Sequence, residues 1–217
     1  MRSGATATFM PRNFIRMSRN FILKDNDCYC QNIRGKNRHY HRRRKKMCYL
    51  CACKKVISNM SENLIIADGG KEERYITLMP QVEALVAAEP DMTANMANVA
   101  AVISATFGFL WTGFYRVVGD ELVLGPFQGP LACTRIGKGR GVCGTAWAES
   151  RTITVPDVDQ FPGHIACSSL SRSEIVVPLC RDGRIIGVLD IDSADTGTFD
   201  DTDVRYLGEI ARIIAQR

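Results

Sequence analysis

The sequence predicts an α+β sandwich: one antiparallel sheet with helices packed on one face. Three observations predict it. Apolar residues recur at three and four before Phe107 and again after Thr202, the period of amphipathic helices. Between these stretches the period changes to two, and the alternating segments are joined by short turn signals. The order along the chain is helices, antiparallel hairpins, a short helix, a hairpin and a closing helix.

The first helix runs from Glu72 to about Ala88, with Tyr75, Leu78, Met79, Val82, Leu85 and Val86 on one face. Pro80 lies inside this pattern, so a kink or break is expected there. Asp91 is placed to cap a second helix running to about Thr106, with Met96, Val99, Val102 and Ile103 inward. Trp111 to Val118 reads as a strand, Gly119-Asp120 as a tight turn, and Glu121 to Gly125 as the hairpin partner. A further strand carries Leu131 to Ile136, and a glycine-rich loop from Gly137 leads into a short helix through Ala148. Thr152 to Val155 is a short strand. The loop of nearly 20 residues that follows is long enough to expect a function. Glu174 to Cys180 and Arg184 to Asp192 form the clearest hairpin, turning at Arg181-Asp182-Gly183, with Cys180 read as core. A final helix from Thr202 to Ile214 turns Val204, Leu207, Ile210, Ala211 and Ile214 inward, and Asp200 to Asp203 suit its positive end.

The 217 residues divide by charge. Residues 1–59 hold 15 Lys/Arg and 2 Asp/Glu, a net of +13, whereas residues 60–217 hold 13 basic and 21 acidic residues, a net of −8. The mean pI of about 8.8 averages two unlike pieces and does not indicate nucleic-acid binding by the folded part. Residues 1–59 are read as a basic extension, disordered or upstream of a second start at Met60, and residues 60–217 as the domain. Cys28, Cys30, Cys48, Cys51 and Cys53 in the extension follow no specific zinc-finger spacing. Arg12, Arg16 and Arg19 among Phe and Ile leave organellar targeting open. No 18-residue apolar run predicts a membrane span. Nine cysteines without a secretory signal point to a reducing, cytoplasmic setting.

Three cysteines of the domain stand outside apolar runs: Cys133, Cys143 and Cys167, with His164 the only histidine of this half. No closely spaced Cys/His pairs accompany them, so no metal is expected and thiol chemistry is the favoured reading. Buried small hydrophobes are the alternative. Asp190 and Asp192 are two apart on a strand and therefore share a face, which by the same count also carries Ile186 and Val188. An acidic pair on such a face is unusual, although edge carboxylates would also look this way. Trp111 and Tyr115, four apart, face one side and are pocket walls or core aromatics. The match of Gly139-x-Gly-x-x-Gly144 to a dinucleotide fingerprint is set aside, because too few residues follow for a parallel crossover.

The run from Glu174-Ile-Val-Val-Pro-Leu through Asp182-Gly-Arg-Ile-Ile-Gly187 and Asp190-Ile-Asp192-Ser to Phe199-Asp-Asp-Thr-Asp203 resembles the GAF-domain signature. With the cysteine triplet, Trp111, Tyr115, Glu174, Asp190 and Asp192, the chain is similar to the free methionine-R-sulfoxide reductases over about residues 70–217. That resemblance implies a GAF-like fold, a central antiparallel sheet with helices packed on one face, preceded by the basic extension. It implies reduction of free L-methionine-(R)-sulfoxide by Cys167, which would become a sulfenic acid resolved by Cys133, with Cys143 as auxiliary thiol. Glu174, Asp190 and Asp192 would polarise the sulfoxide and hold the substrate's ammonium group, and Trp111 and Tyr115 would wall the pocket. No cofactor is implied. The implied partners are free methionine-R-sulfoxide and a thioredoxin-like reductant, with no nucleic acid and no membrane, and a homodimer is allowed. A sensory small-molecule module and a non-catalytic redox sensor are the competing readings of the same signature.

Overall fold

The computed structural model describes residues 63–217 except Ala166. The expectations for residues 1–59, including their cysteines and their separation from the domain, lie outside the described residues. Helix α1 (Lys71–Ala88) is continuous through Pro80. Pro80 sits on the exposed face, where water can satisfy the carbonyl that loses its intrahelical donor. Helix α2 (Met92–Phe107) begins as expected at Asp91, whose side chain accepts from Ala94 N at 2.9 Å. It ends at Gly108 in the left-handed region, φ 69°.

Six antiparallel strands follow: β1 (Trp111–Val118), β2 (Glu121–Gln128), β3 (Arg135–Gly137), β4 (Ile153–Val155), β5 (Ser173–Arg181) and β6 (Arg184–Ser193). Their order across the sheet is β3-β2-β1-β6-β5-β4, so the hairpin of β5 and β6 is central together with β1. The short helix α3 (Gly141–Glu149) lies between β3 and β4 in sequence, and α4 (Asp201–Ala215) closes the fold. The strand expected from Leu131 shrinks to Arg135–Gly137. Leu131 is 89% exposed, and residues 130–133 form a loop instead.

Alternation along the strands sorts the interior into two clusters. Phe114, Ile175, Val177, Leu179, Leu189 and Ile191 point to one sheet face, where they meet α1, α2 and α4. Trp111, Tyr115, Val176 and Val188 point to the other face, where α3 supplies Val142, Cys143, Ala146 and Trp147. Three helices thus share one face as expected, and the fourth, short helix covers part of the opposite one. One detail of register corrects the sequence reading. A bulge between Leu179 and Cys180 pairs Cys180 with Ile185 and leaves Ile186 out of the ladder. Ile186 therefore packs on the three-helix side, not on the face of Asp190 and Asp192, and Ile185 takes the other side. The same irregularity sits at Cys180, which is exposed and not core.

The turn into α3 accounts for the glycines of the apparent dinucleotide motif. Gly139 N donates to Gly144 O at 2.8 Å, and any Cβ on Gly144 would run into the Gly137 carbonyl. Close packing of this helix start onto β3, not a parallel crossover, requires the small residue.

Candidate active site

The second sheet face is incompletely covered by α3, and the gap is a pocket. It opens to solvent and is lined by Trp111, Tyr115, Cys143, Cys167, Glu174 and Asp190 among others. Three adjacent strands build its floor through their register. Trp111 is paired with Asp192, which is paired in turn with Glu174, while Gly113 is paired with Asp190 and Asp190 with Val176. Neighbouring positions on paired strands bring three carboxyl groups together although they are 16 and 2 residues apart in sequence. Gly113 matters here, since a Cβ would overlap the Trp111 ring and Phe127 Cβ. Without one, Trp111 lies stacked between Phe127 and Tyr115, with ring centroids 5.3 and 6.0 Å away.

Both aromatic residues expected as walls do line the pocket, and each also ties down a loop. Trp111 Nε1 donates to Pro130 O at 3.1 Å, and Tyr115 Oη donates to Cys133 O at 2.9 Å. These two bonds fasten residues 130–133 to β1, so the position of Cys133 is set by the pocket wall itself. Burial, then the charge of Asp190, raises the Tyr115 phenol well above its ordinary value and keeps it a neutral donor.

Cys133 and Cys167 form a disulfide across the mouth, with Cα atoms 5.6 Å apart. Cys167 is exposed and lines the pocket, and Cys133 is half-buried behind it. Cys143, in the first turn of α3, is buried and free, and its thiol donates to Glu174 Oε1 at 4.0 Å. Seven of the eight residues singled out from sequence line this one pocket, and the eighth, Cys133, is bonded to one of them.

The carboxyls are hard to ionise together. Glu174 and Asp190 are each only 6% exposed. Burial raises both well above the usual carboxylate range; the charges of Asp190 and Asp192 raise Glu174 further, and that of Asp192 raises Asp190 against hydrogen bonds from Cys143 and Glu174. Asp192 is raised by burial too, but Ser171 and His164 oppose the shift. Ser171 Oγ donates to Asp192 Oδ1 at 2.5 Å, and His164 Nε2 lies 3.7 Å from Glu174 Oε2. Ser171 was not anticipated, since a serine in a long loop carries no signal of its partner. His164 was noticed only as a lone histidine, and its place beside Glu174 follows from the loop that also carries Cys167. Cys143, Glu174 and Asp190 are, among the described residues, a group whose donor atoms could hold a metal ion, within 4.8 Å of one another. Chemically the pocket combines an exposed, disulfide-bonded sulfur, carboxyls that burial makes hard to ionise, and an aromatic wall.

A family model for the GAF domain matches residues 87–217. The chain is 57% identical over 156 residues to GAF domain-containing protein A of Dictyostelium discoideum, covering 71% of this chain and 99% of that one. It is 48% identical over 141 residues to the free methionine-R-sulfoxide reductase of Escherichia coli K12, covering 64% and 86%. Among solved structures, the free methionine-R-sulfoxide reductase of Neisseria meningitidis in complex with its substrate superimposes with a TM-score of 0.70. It is 58% identical and covers 71% of this chain and 93% of that one.

Proposed function

We propose that this chain, which belongs to the GAF-domain family and within it to the free methionine-R-sulfoxide reductases, reduces free L-methionine-(R)-sulfoxide through a cysteine sulfenic acid and an intramolecular disulfide. The observation that carries the reading is the stacking of functions in one pocket: Cys167 exposed at the mouth and bonded to Cys133, above three carboxyls whose ionisation burial opposes. An ordinary thiol is only a few per cent thiolate at neutral pH, so attack on sulfur needs an activated sulfoxide. A neutral carboxylic acid donating to the sulfoxide oxygen activates it without an ion or a flavin.

The Cys167 sulfur takes the oxygen, giving a sulfenic acid and releasing methionine. The Cys133 thiol then attacks the sulfenic sulfur, the S–S bond forms, and water leaves. A dithiol protein of the thioredoxin class transfers two electrons and two protons to the disulfide and restores both thiols. Asp192, the least buried of the three acids, is also the one suited to hold the substrate's ammonium group, and Trp111 and Tyr115 supply ring faces for the positive charge that builds on sulfur. A pocket recessed into the sheet face beneath α3 and the loop carrying Cys167 fits a free amino acid better than a residue within a peptide.

The test is direct. The protein is incubated with free methionine-(R)-sulfoxide and dithiothreitol, and methionine is quantified. Stoichiometric conversion of the R form, with the S form left behind, is expected. Absence of methionine would return the pocket to the sensory or redox-sensor readings.

A further inference from the structure

We propose that Cys143, Glu174 and Asp190 form a site for one divalent cation of the zinc class at the floor of the pocket. Cys143 comes from the start of α3, Glu174 from β5 and Asp190 from β6, so no spacing rule in the sequence would find them. Their donor atoms lie within 4.8 Å of one another, and Cys143 Sγ is 4.0 Å from Glu174 Oε1. Sulfur and oxygen donors on a tetrahedral zinc stand about 3.6 Å apart, given bonds of about 2.3 and 2.1 Å. The three groups therefore need to close by up to about 1.4 Å, a side-chain adjustment.

A second observation points into the same spot. Asp190 Oδ1 is buried and finds no hydrogen-bond partner among the described residues, in a side chain 94% removed from solvent. Such an atom is costly unless something binds it. His164 Nε2 lies 3.7 Å from Glu174 Oε2 but outside the cluster of three donors, so water completes the shell. One thiolate and two carboxylates select zinc or cobalt over magnesium or calcium, which prefer all-oxygen shells. The consequence rests on the reductase reading: an ion on this floor occupies the place of the sulfoxide, so ion and substrate exclude each other.

The experiment uses the full chain in its disulfide form, where Cys133 and Cys167 are tied and cannot ligate. Cobalt(II) is titrated into wild type and Cys143→Ser, and bound metal and thiolate-to-cobalt charge-transfer absorption are measured. The N-terminal cysteines contribute equally to both proteins, so the difference reports the pocket. Wild type is expected to bind one equivalent more and to carry the extra absorption. Equal stoichiometry and equal absorption overturn the site. If Cys143→Ser does not fold, Asp190→Asn replaces it, with the same loss expected and the same overturning result. Adding free methionine-(R)-sulfoxide should release the extra equivalent, and its retention at saturating sulfoxide overturns the mutual exclusion. Turnover of the metal-free protein is measured alongside. Turnover without the extra equivalent overturns the cation site alone, whereas the extra equivalent without turnover supports the site and overturns the reductase reading.

Discussion

A carboxyl group at the bottom of a pocket is a proton source at neutral pH only if something keeps it from ionising. Here burial comes first for both Glu174 and Asp190, and a neighbouring carboxyl second, Asp190 for Glu174 and Asp192 for Asp190. Protons lost from such a cluster belong to the group, not to one side chain. Because the folded values are raised, the protonated forms persist above the usual carboxylate range and disappear as pH rises through the raised values. Turnover is therefore expected to fall on that alkaline side. Asp192→Asn should lower kcat by about a hundredfold, the scale of a lost general acid, and reshape this limb, with little change in thermal stability. Steady-state rates across pH check it, and unchanged kinetics would remove Asp192 from the chemistry of the site. The cysteines separate by role. Cys167→Ser should abolish turnover, and full activity would sink the mechanism. Cys133→Ser should release about one methionine per chain in a single turnover and then stall, because the sulfenic acid has no partner to condense with. Steady cycling of Cys133→Ser with thioredoxin would move resolution to Cys143.

At the scale of elements, the closing helix shows how polar groups hold the three-helix face together. Asp200 caps α4 by accepting from Thr202 N at 2.7 Å, and its own N–H donates to Asp203 Oδ2 at 2.9 Å. Lys71 of α1 reaches both acids, and Tyr75 Oη donates to the fully buried Asp203 at 2.8 Å. The cap thus joins α1 to α4. The Lys71 hydrogen bond holds the Asp200 carboxyl below its ordinary value. A lowered folded value means that the stabilisation is complete above the unfolded value, near 3.9, and is lost as pH falls through the folded one. Asp200→Ala should cost about 1 kcal/mol at pH 7, a drop of about 3 °C in melting temperature. The deficit should narrow as pH falls below the unfolded value, where wild type loses the same charge. Thermal melts at the two pH values check both statements, and a pH-independent deficit would assign the effect to packing. The helices and this cap motif were legible because period and end signals are local. The third strand was misjudged because the loop at 130–133 is held by Trp111 and Tyr115 from another strand, and Cys180 and Ile186 because a one-residue bulge reverses the faces beyond it.

For the whole molecule, the candidate site was largely legible through the resemblance, but its geometry was not. The pairing of Trp111, Asp192 and Glu174 across three strands, and of His164 with Glu174, are long-range facts that no local pattern encodes. What was local was the change in composition near Met60, which separates a stretch of net +13 from one of net −8. Residues 63–217 hold two apolar clusters, one on each sheet face, and every buried residue of both lies between Tyr75 and Ala215. Among the described residues, none of these helices is long and apolar enough to cross a membrane. A chain shortened to begin at Met60 should therefore fold with the melting temperature of the full chain and retain its reductase rate, since it keeps both clusters, all six strands and the whole pocket. The comparison needs matched thermal melts and methionine-release rates for the two lengths. A melting temperature lower by several degrees, or a lost rate, would mean that residues 1–59 contribute contacts to the domain and that the boundary lies elsewhere.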